Sequence, residues 1–195
     1  EWLRSLVGSE MCIRDRCRAV TCACVFVMCV APAAGVRAGD LAFTHFTIAD
    51  PLPGSAWGTG GSPLADYDGD GDLDVVISRR EPKTAYWFER KDDANWVRHV
   101  MGSAEGLANT LGAAALDIND DGWLDVVLTK VWFENPGTLA EDPDTPWPAH
   151  DFAGGGHDIV AADINGDGRL DIVTYHGTVV SWYDPADGMQ QTDVG

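Results

Sequence analysis

The chain has 195 residues, 45% of them hydrophobic, which suits a protein that buries a core and excludes disordered and collagen-like classes. Lys and Arg number 13 against 31 Asp and Glu, a formal net charge of −18 at pH 7, so the chain repels nucleic acid and anionic membrane surfaces. Carboxylates in that excess, set among 22 glycines, point instead to hard cations that seek oxygen ligands.

At the N-terminus, the segment Leu6 to Arg16 (LVGSEMCIRDR) resembles the translation of a sequencing adapter, and residues 1–16 are set aside as an artefact. Residues 17–38 read as a secretory signal peptide. Arg18 precedes an apolar run over residues 19–34, short of the roughly 20 residues that a spanning helix needs. Val36 and Ala38 place small residues at positions −3 and −1 of a cleavage site. Cleavage after Ala38 leaves 8 basic and 28 acidic residues over residues 39–195, with no membrane span. The expected destination is extracellular, periplasmic or the cell envelope. All five cysteines, Cys12, Cys17, Cys22, Cys24 and Cys29, lie in these leading segments, so the folded part has no thiol for a disulfide or a thiolate metal site.

From residue 54 onward a unit repeats. Leu64–Ser78, Ala115–Thr129 and Ala161–Tyr175 share the template D-x-[DN]-x-D-G-x-L-D followed by an apolar run, with first aspartates at 66, 117 and 163. Spacings of 51 and 46 residues are those of propeller blades rather than helical hairpins. Upstream of each loop stand glycines, in Gly58-Thr-Gly-Gly61, Leu111-Gly-Ala113 and Gly154-Gly-Gly-His157. Downstream come Trp87-Phe88-Glu89, Trp132-Phe133-Glu134 and Trp182-Tyr183-Asp184, then Trp96-x-x-His99 and Trp147-x-x-His150 in the first two units. Ala42-Phe-Thr-His45 reads as the tail of a preceding unit. One unit is therefore a glycine turn, a strand, an acidic loop, a second strand, an aromatic strand and a last strand. The predicted fold is all-β, with blades of four antiparallel strands at residues 54–100, 101–152 and 153–195. From the last loop aspartate to the aromatic pair is 13, 7 and 11 residues in turn, so the second hairpin is the tightest, and its length reappears as the proline-rich insertion Asn135–Pro148.

The acidic loops carry the chemistry. In an oxygen-ligand loop, positions 1, 3 and 5 converge on one ion, glycine at 6 permits the sharp turn, and position 7 offers a backbone carbonyl. The first loop supplies Asp66, Asp68, Asp70, the carbonyl of Asp72, and Asp74 at position 9. The second supplies Asp117, Asn119, Asp121, the Trp123 carbonyl and Asp125, and the third Asp163, Asn165, Asp167, the Arg169 carbonyl and Asp171. Three structural calcium ions are expected; magnesium is disfavoured because it demands tight octahedral geometry. An EF-hand fails at position 12, where Ile77, Leu128 and Thr174 stand in place of a bidentate acid, and the β-branched residues after each loop favour a strand over an exiting helix.

These loops resemble the FG-GAP-like repeat, also called the VCBS repeat, found in secreted bacterial proteins and related to the seven-bladed propeller of integrin alpha chains. The resemblance covers residues 54–195, with Leu111-Gly112-Ala113 a degraded form of the family's Phe-Gly and Gly-Ala-Pro elements. It implies structural calcium in the loops, ligand or partner surfaces elsewhere, and a ring of which three blades are present; the last strand of the third blade is expected to begin at Asp193. The function so implied is a secreted calcium-binding module that recognises a polysaccharide or a protein. The alternative is the propeller portion of a secreted polysaccharide lyase or hydrolase. Residues 39–195 contain no G-x-S-x-G elbow, H-E-x-x-H or cysteine nucleophile. Trp87, Trp132 and Trp182 recur at one blade position, which assigns them to the core between blades. Trp123 and Trp147 are expected at the surface, and Trp57 and Trp96 remain sugar-stacking candidates. His45, His99 and His150 recur at blade ends as strand-packing groups, whereas His157 and His176 break the repeat and are the first candidates for chemistry.

Overall fold

Short runs of β-branched and aromatic residues, punctuated by glycine and aspartate turns, form twelve strands and no α-helix among the described residues. The computed structural model describes residues 42–54 and 58–194, and the fold is that of the unit His45–Gly195. The adapter-like segment, the signal peptide and Trp57 lie outside the described residues.

The strands make three four-stranded antiparallel sheets, each in sequence order. The first holds β1 (Leu64–Ala65), β2 (Asp74–Arg79), β3 (Thr84–Arg90) and β4 (Trp96–Ser103). The second holds β5 (Ala113–Leu116), β6 (Asp125–Leu128), β7 (Val131–Phe133) and β8 (Ala149–Asp151). The third holds β9 (Asp158–Ala162), β10 (Asp171–His176), β11 (Val179–Asp184) and β12 (Gln190–Val194). This is the all-β, blade-like architecture that the repeat predicts.

Register repeats with the sequence. Val76 lies opposite Trp87, Val127 opposite Trp132, and Val173 opposite Trp182. Across the next strand Trp87 meets His99 and Trp132 meets His150, while in the third sheet Trp182 meets Thr192. The tight second hairpin is real, since Leu128 pairs with Val131 around the two-residue turn Thr129–Lys130.

Because both faces of the first two sheets are covered, their central strands read as continuous apolar runs rather than as an alternation. Val76, Trp87 and Met101 of the first sheet pack against Val126, Leu128, Val131 and Phe133 of the second. Val127 and Leu116 of the second pack in turn with Ile159, Ile172 and Tyr183 of the third. Ile48, Ala49 and Leu52 cover the remaining face of the first sheet, over Val75, Tyr86 and Phe88. Close approach at the inner edge demands glycine: a Cβ on Gly112 would stand 2.7 Å from the Ile159 backbone nitrogen, nearer than any real Cβ comes.

Three expectations are corrected. Trp147 is not at the surface but 3% exposed, because the insertion folds back onto the first sheet: its backbone N–H donates to the Met101 carbonyl at 3.0 Å and its ring meets Tyr67 edge-on at 5.7 Å. Trp123 is half-buried, its ring lying over Gly69 and Gly137. The last strand begins at Gln190, not Asp193, pairing with β11 from Asp184 onward.

Candidate metal centre

Each acidic loop joins the first strand of its sheet to the second, and all three fold on one hydrogen-bonded frame. At position 1, Asp66 accepts from Gly69 N–H at 2.8 Å and Gly71 N–H at 3.0 Å. Asp163 does the same with Gly166 and Gly168, and Asp117 with Asp121 and Gly122. At position 3, Asp68, Asn119 and Asn165 each take the N–H two residues on, as do Asp70, Asp121 and Asp167 at position 5. Gly71, Gly122 and Gly168 have φ of 98°, 91° and 93°, the left-handed backbone that glycine adopts without steric cost.

Position 9 has a further task. Asp74, Asp125 and Asp171 are 0% exposed, and each accepts from the N–H at loop position 2: Tyr67 at 3.2 Å, Ile118 at 2.9 Å and Ile164 at 2.8 Å. The other oxygen of Asp74 takes Arg90 N–H at 2.9 Å, and that of Asp125 takes Asn135 N–H at 2.8 Å. The equivalent residue in the third sheet is Pro185, which has no N–H, so Asp171 Oδ1 is buried without a partner. Burial pushes the Asp74 carboxyl up to about 7 and that of Asp125 up to about 6, against the pull of these N–H bonds. Burial, followed by neighbouring Asp70 and Glu89, also raises Asp68.

In the first loop, one oxygen from each of Asp66, Asp68 and Asp74 lies within 4.8 Å of the others. Oxygens sharing one calcium at about 2.3–2.6 Å stand at most about 5 Å apart, so this spacing fits the ion. Asp70 lies outside that group. In the other two loops the position-3 residue is Asn, and its amide N–H2 stands between two carboxylates, where a cation would otherwise neutralise them. Asn119 donates to Asp121 at 2.9 Å and Glu134 at 3.5 Å; Asn165 donates to Asp167 at 3.0 Å and Asp184 at 3.1 Å. The donor set is all oxygen, as a hard cation requires.

Two groups escaped the sequence reading. Glu89 on β3, Glu134 just after β7 and Asp184 on β11 project toward position 3 of their own loops. Their signal was the third letter of each Trp-aromatic-acid triplet, which recurs with the loops. Lys91 holds Glu89 from the solvent side. Position 7, counted for its carbonyl alone, also uses its side chain to reach the preceding loop. The ring of Trp123 covers Gly69 of the first loop, and Arg169 binds the Ile118 carbonyl at 3.4 Å and Asp120 at 3.5 Å in the second. Asn135 ties the same elements, donating to the Tyr67 carbonyl at 2.9 Å.

Residues 66–128 match the FG-GAP-like repeat. The matched stretch runs from the first ligand position of the first loop to the end of β6, and so contains two loops, strands β2–β4 of the first sheet and β5–β6 of the second. The chain is also similar to zinc finger CCCH domain-containing protein 50 of rice, Oryza sativa subsp. japonica, at 29% identity over 109 residues. That match covers 50% of this chain and 17% of the rice protein, so the chain spans a small part of that relative's length. The three four-stranded antiparallel sheets are consistent with propeller blades of the kind such repeats form. No helix among the described residues is long and apolar enough to cross a membrane.

Two of the three recurring histidines pack as their repeat positions suggest, whereas His45 is exposed and lies in no strand. His99 is buried between Glu89 at 3.2 Å and Asp144 at 2.9 Å and stacks on Trp87; His150 bonds Glu134 at 2.8 Å and stacks on Trp132. His157 and His176 are exposed and belong to neither arrangement.

Proposed function

We propose that the chain is a secreted, calcium-stabilised propeller module that recognises a polysaccharide or a protein outside the cytoplasm. One observation carries the calcium reading: the three loops share one hydrogen-bonded frame, and in the first of them one oxygen from each of Asp66, Asp68 and Asp74 lies within 4.8 Å of the others. Like charges that close repel unless a cation joins them. Asp66, Asp68, Asp70, Asp117, Asn119, Asp121, Asp163, Asn165 and Asp167 would hold the ions with the carbonyls of Asp72, Trp123 and Arg169. Asp74, Asp125 and Asp171 would close the shells. The bound ion supplies charge neutralisation and links the two strands that each loop joins. Glu89, Glu134 and Asp184 would fix the position-3 ligand from the neighbouring strand.

Secretion rests on the signal-like residues 17–38 and on the extracellular character of the repeat family. Titration calorimetry of the full chain tests the loops. Uptake of close to three calcium ions is expected, at affinities of about 10⁻⁴ to 10⁻³ M or tighter. Asp66→Asn, Asp117→Asn and Asp163→Asn should each remove one ion; absence of uptake by the unmodified chain overturns the reading.

A further inference from the structure

On the edge away from the acidic loops, the second and third sheets leave a cleft of about 550 Å³, the size of a small-ligand site. It lies among the Thr129–Lys130 turn, the Gly155–His157 linker and the Tyr175–Gly177 turn. Among the described residues no carboxylate lines it, whereas Lys130, His157 and His176 do; Asp158 stands just outside, 3.7 Å from His157 Nδ1.

Lys130 is unusual in a second way. Every other Lys or Arg among the described residues meets an acid, a carbonyl, a hydroxyl or an aromatic ring, including Arg79 with Thr59, Arg80 with the Thr110 carbonyl and Arg98 over Tyr86. Lys130 meets none of these, and its aliphatic stem passes over Gly155. An unpaired ammonium in so acidic a molecule is a charge left for something else. Beside it, the N–H groups of Gly155 and Gly156 donate to no group among the described residues. The cleft walls are nevertheless set: His157 N–H binds the Tyr175 carbonyl at 3.1 Å, and Phe152 N–H binds the Lys130 carbonyl at 3.0 Å. A cation, two imidazoles and free backbone donors around one space form an oxyanion receptor.

We infer that this cleft binds the oxyanion of a small, sugar-sized molecule, with Lys130 as the charged donor and His157 and His176 as flanking donors. The inference rests on reading the chain as a binding module and not on calcium in the loops. The test is calorimetry of the full chain with calcium, titrated with glucuronate, glucose and inorganic phosphate. Glucuronate should bind one to one and glucose should not. Lys130→Met should weaken glucuronate about tenfold or more, and Lys130→Arg should largely retain it. Arg98→Met, which removes the same charge from the first sheet, should leave it unchanged. Phosphate binding through Lys130 without glucuronate binding would still support the oxyanion site and assign it to free phosphate. Equal binding of glucose, unchanged binding in Lys130→Met, or no binding of either anion would overturn it. Calcium uptake is measured separately on the same proteins, so a chain that binds glucuronate but no calcium would defeat the loop reading alone.

Discussion

Asp171 and Pro185 show how one missing donor changes a buried carboxylate. Where Arg90 and Asn135 give an N–H to Asp74 and Asp125, Pro185 gives none. Pro185→Ala restores that donor. A hydrogen bond to a charged group contributes about 1.5–3 kcal/mol, against about 0.4–1 kcal/mol lost by freeing the unfolded chain. The variant should therefore be more stable, which urea denaturation will show; a less stable variant would mean that Asp171 is satisfied otherwise. Asp74 gives a pH signature. In the ion-free fold its carboxyl titrates at about 7, above the unfolded value of about 3.9. A raised folded pKa contributes stability that is complete below about pH 4 and is lost as pH rises through about 7. In EDTA the melting temperature should fall across that window; calcium favours the ionised form and should abolish the fall.

Among the elements, what recurs was legible and what occurs once was not. The acidic loops, the Trp-bearing strands and the short second hairpin follow from spacing alone, because each unit repeats the register that places Trp87, Trp132 and Trp182 opposite a valine. The strand Gln190–Val194 carries neither the aromatic nor the histidine of its counterparts, so nothing in its composition marked its start. Glu89 and its equivalents had no role legible in the sequence because a local pattern does not reveal which loop lies beside them. Trp147 was misplaced for a similar reason: a proline-rich insertion looks like surface, and its burial depends on Met101 and Tyr67, distant in sequence. Trp147→Ala should cost about 3–5 kcal/mol in urea unfolding, as for a large core aromatic; a near-zero change would return the insertion to the surface.

At the scale of the whole molecule, the third sheet presents a face unlike those of the other two. Val160, Tyr175 and Val180 are 56%, 45% and 39% exposed, at the register positions by which the first sheet docks on the second. An apolar sheet face of this kind drives association. Light scattering of the full chain should show self-association with rising concentration, reduced by Val160→Lys. The same layout governs how the molecule opens. Its apolar interior is divided into separate layers, one beneath each sheet-to-sheet contact, rather than gathered at one centre. Opening can therefore proceed one sheet at a time, as in a stack where each unit leans on its neighbours. Amide exchange should be slowest in β6, flanked by two layers, and fastest in β12, so the time course of deuterium uptake becomes a map of distance from the middle sheet.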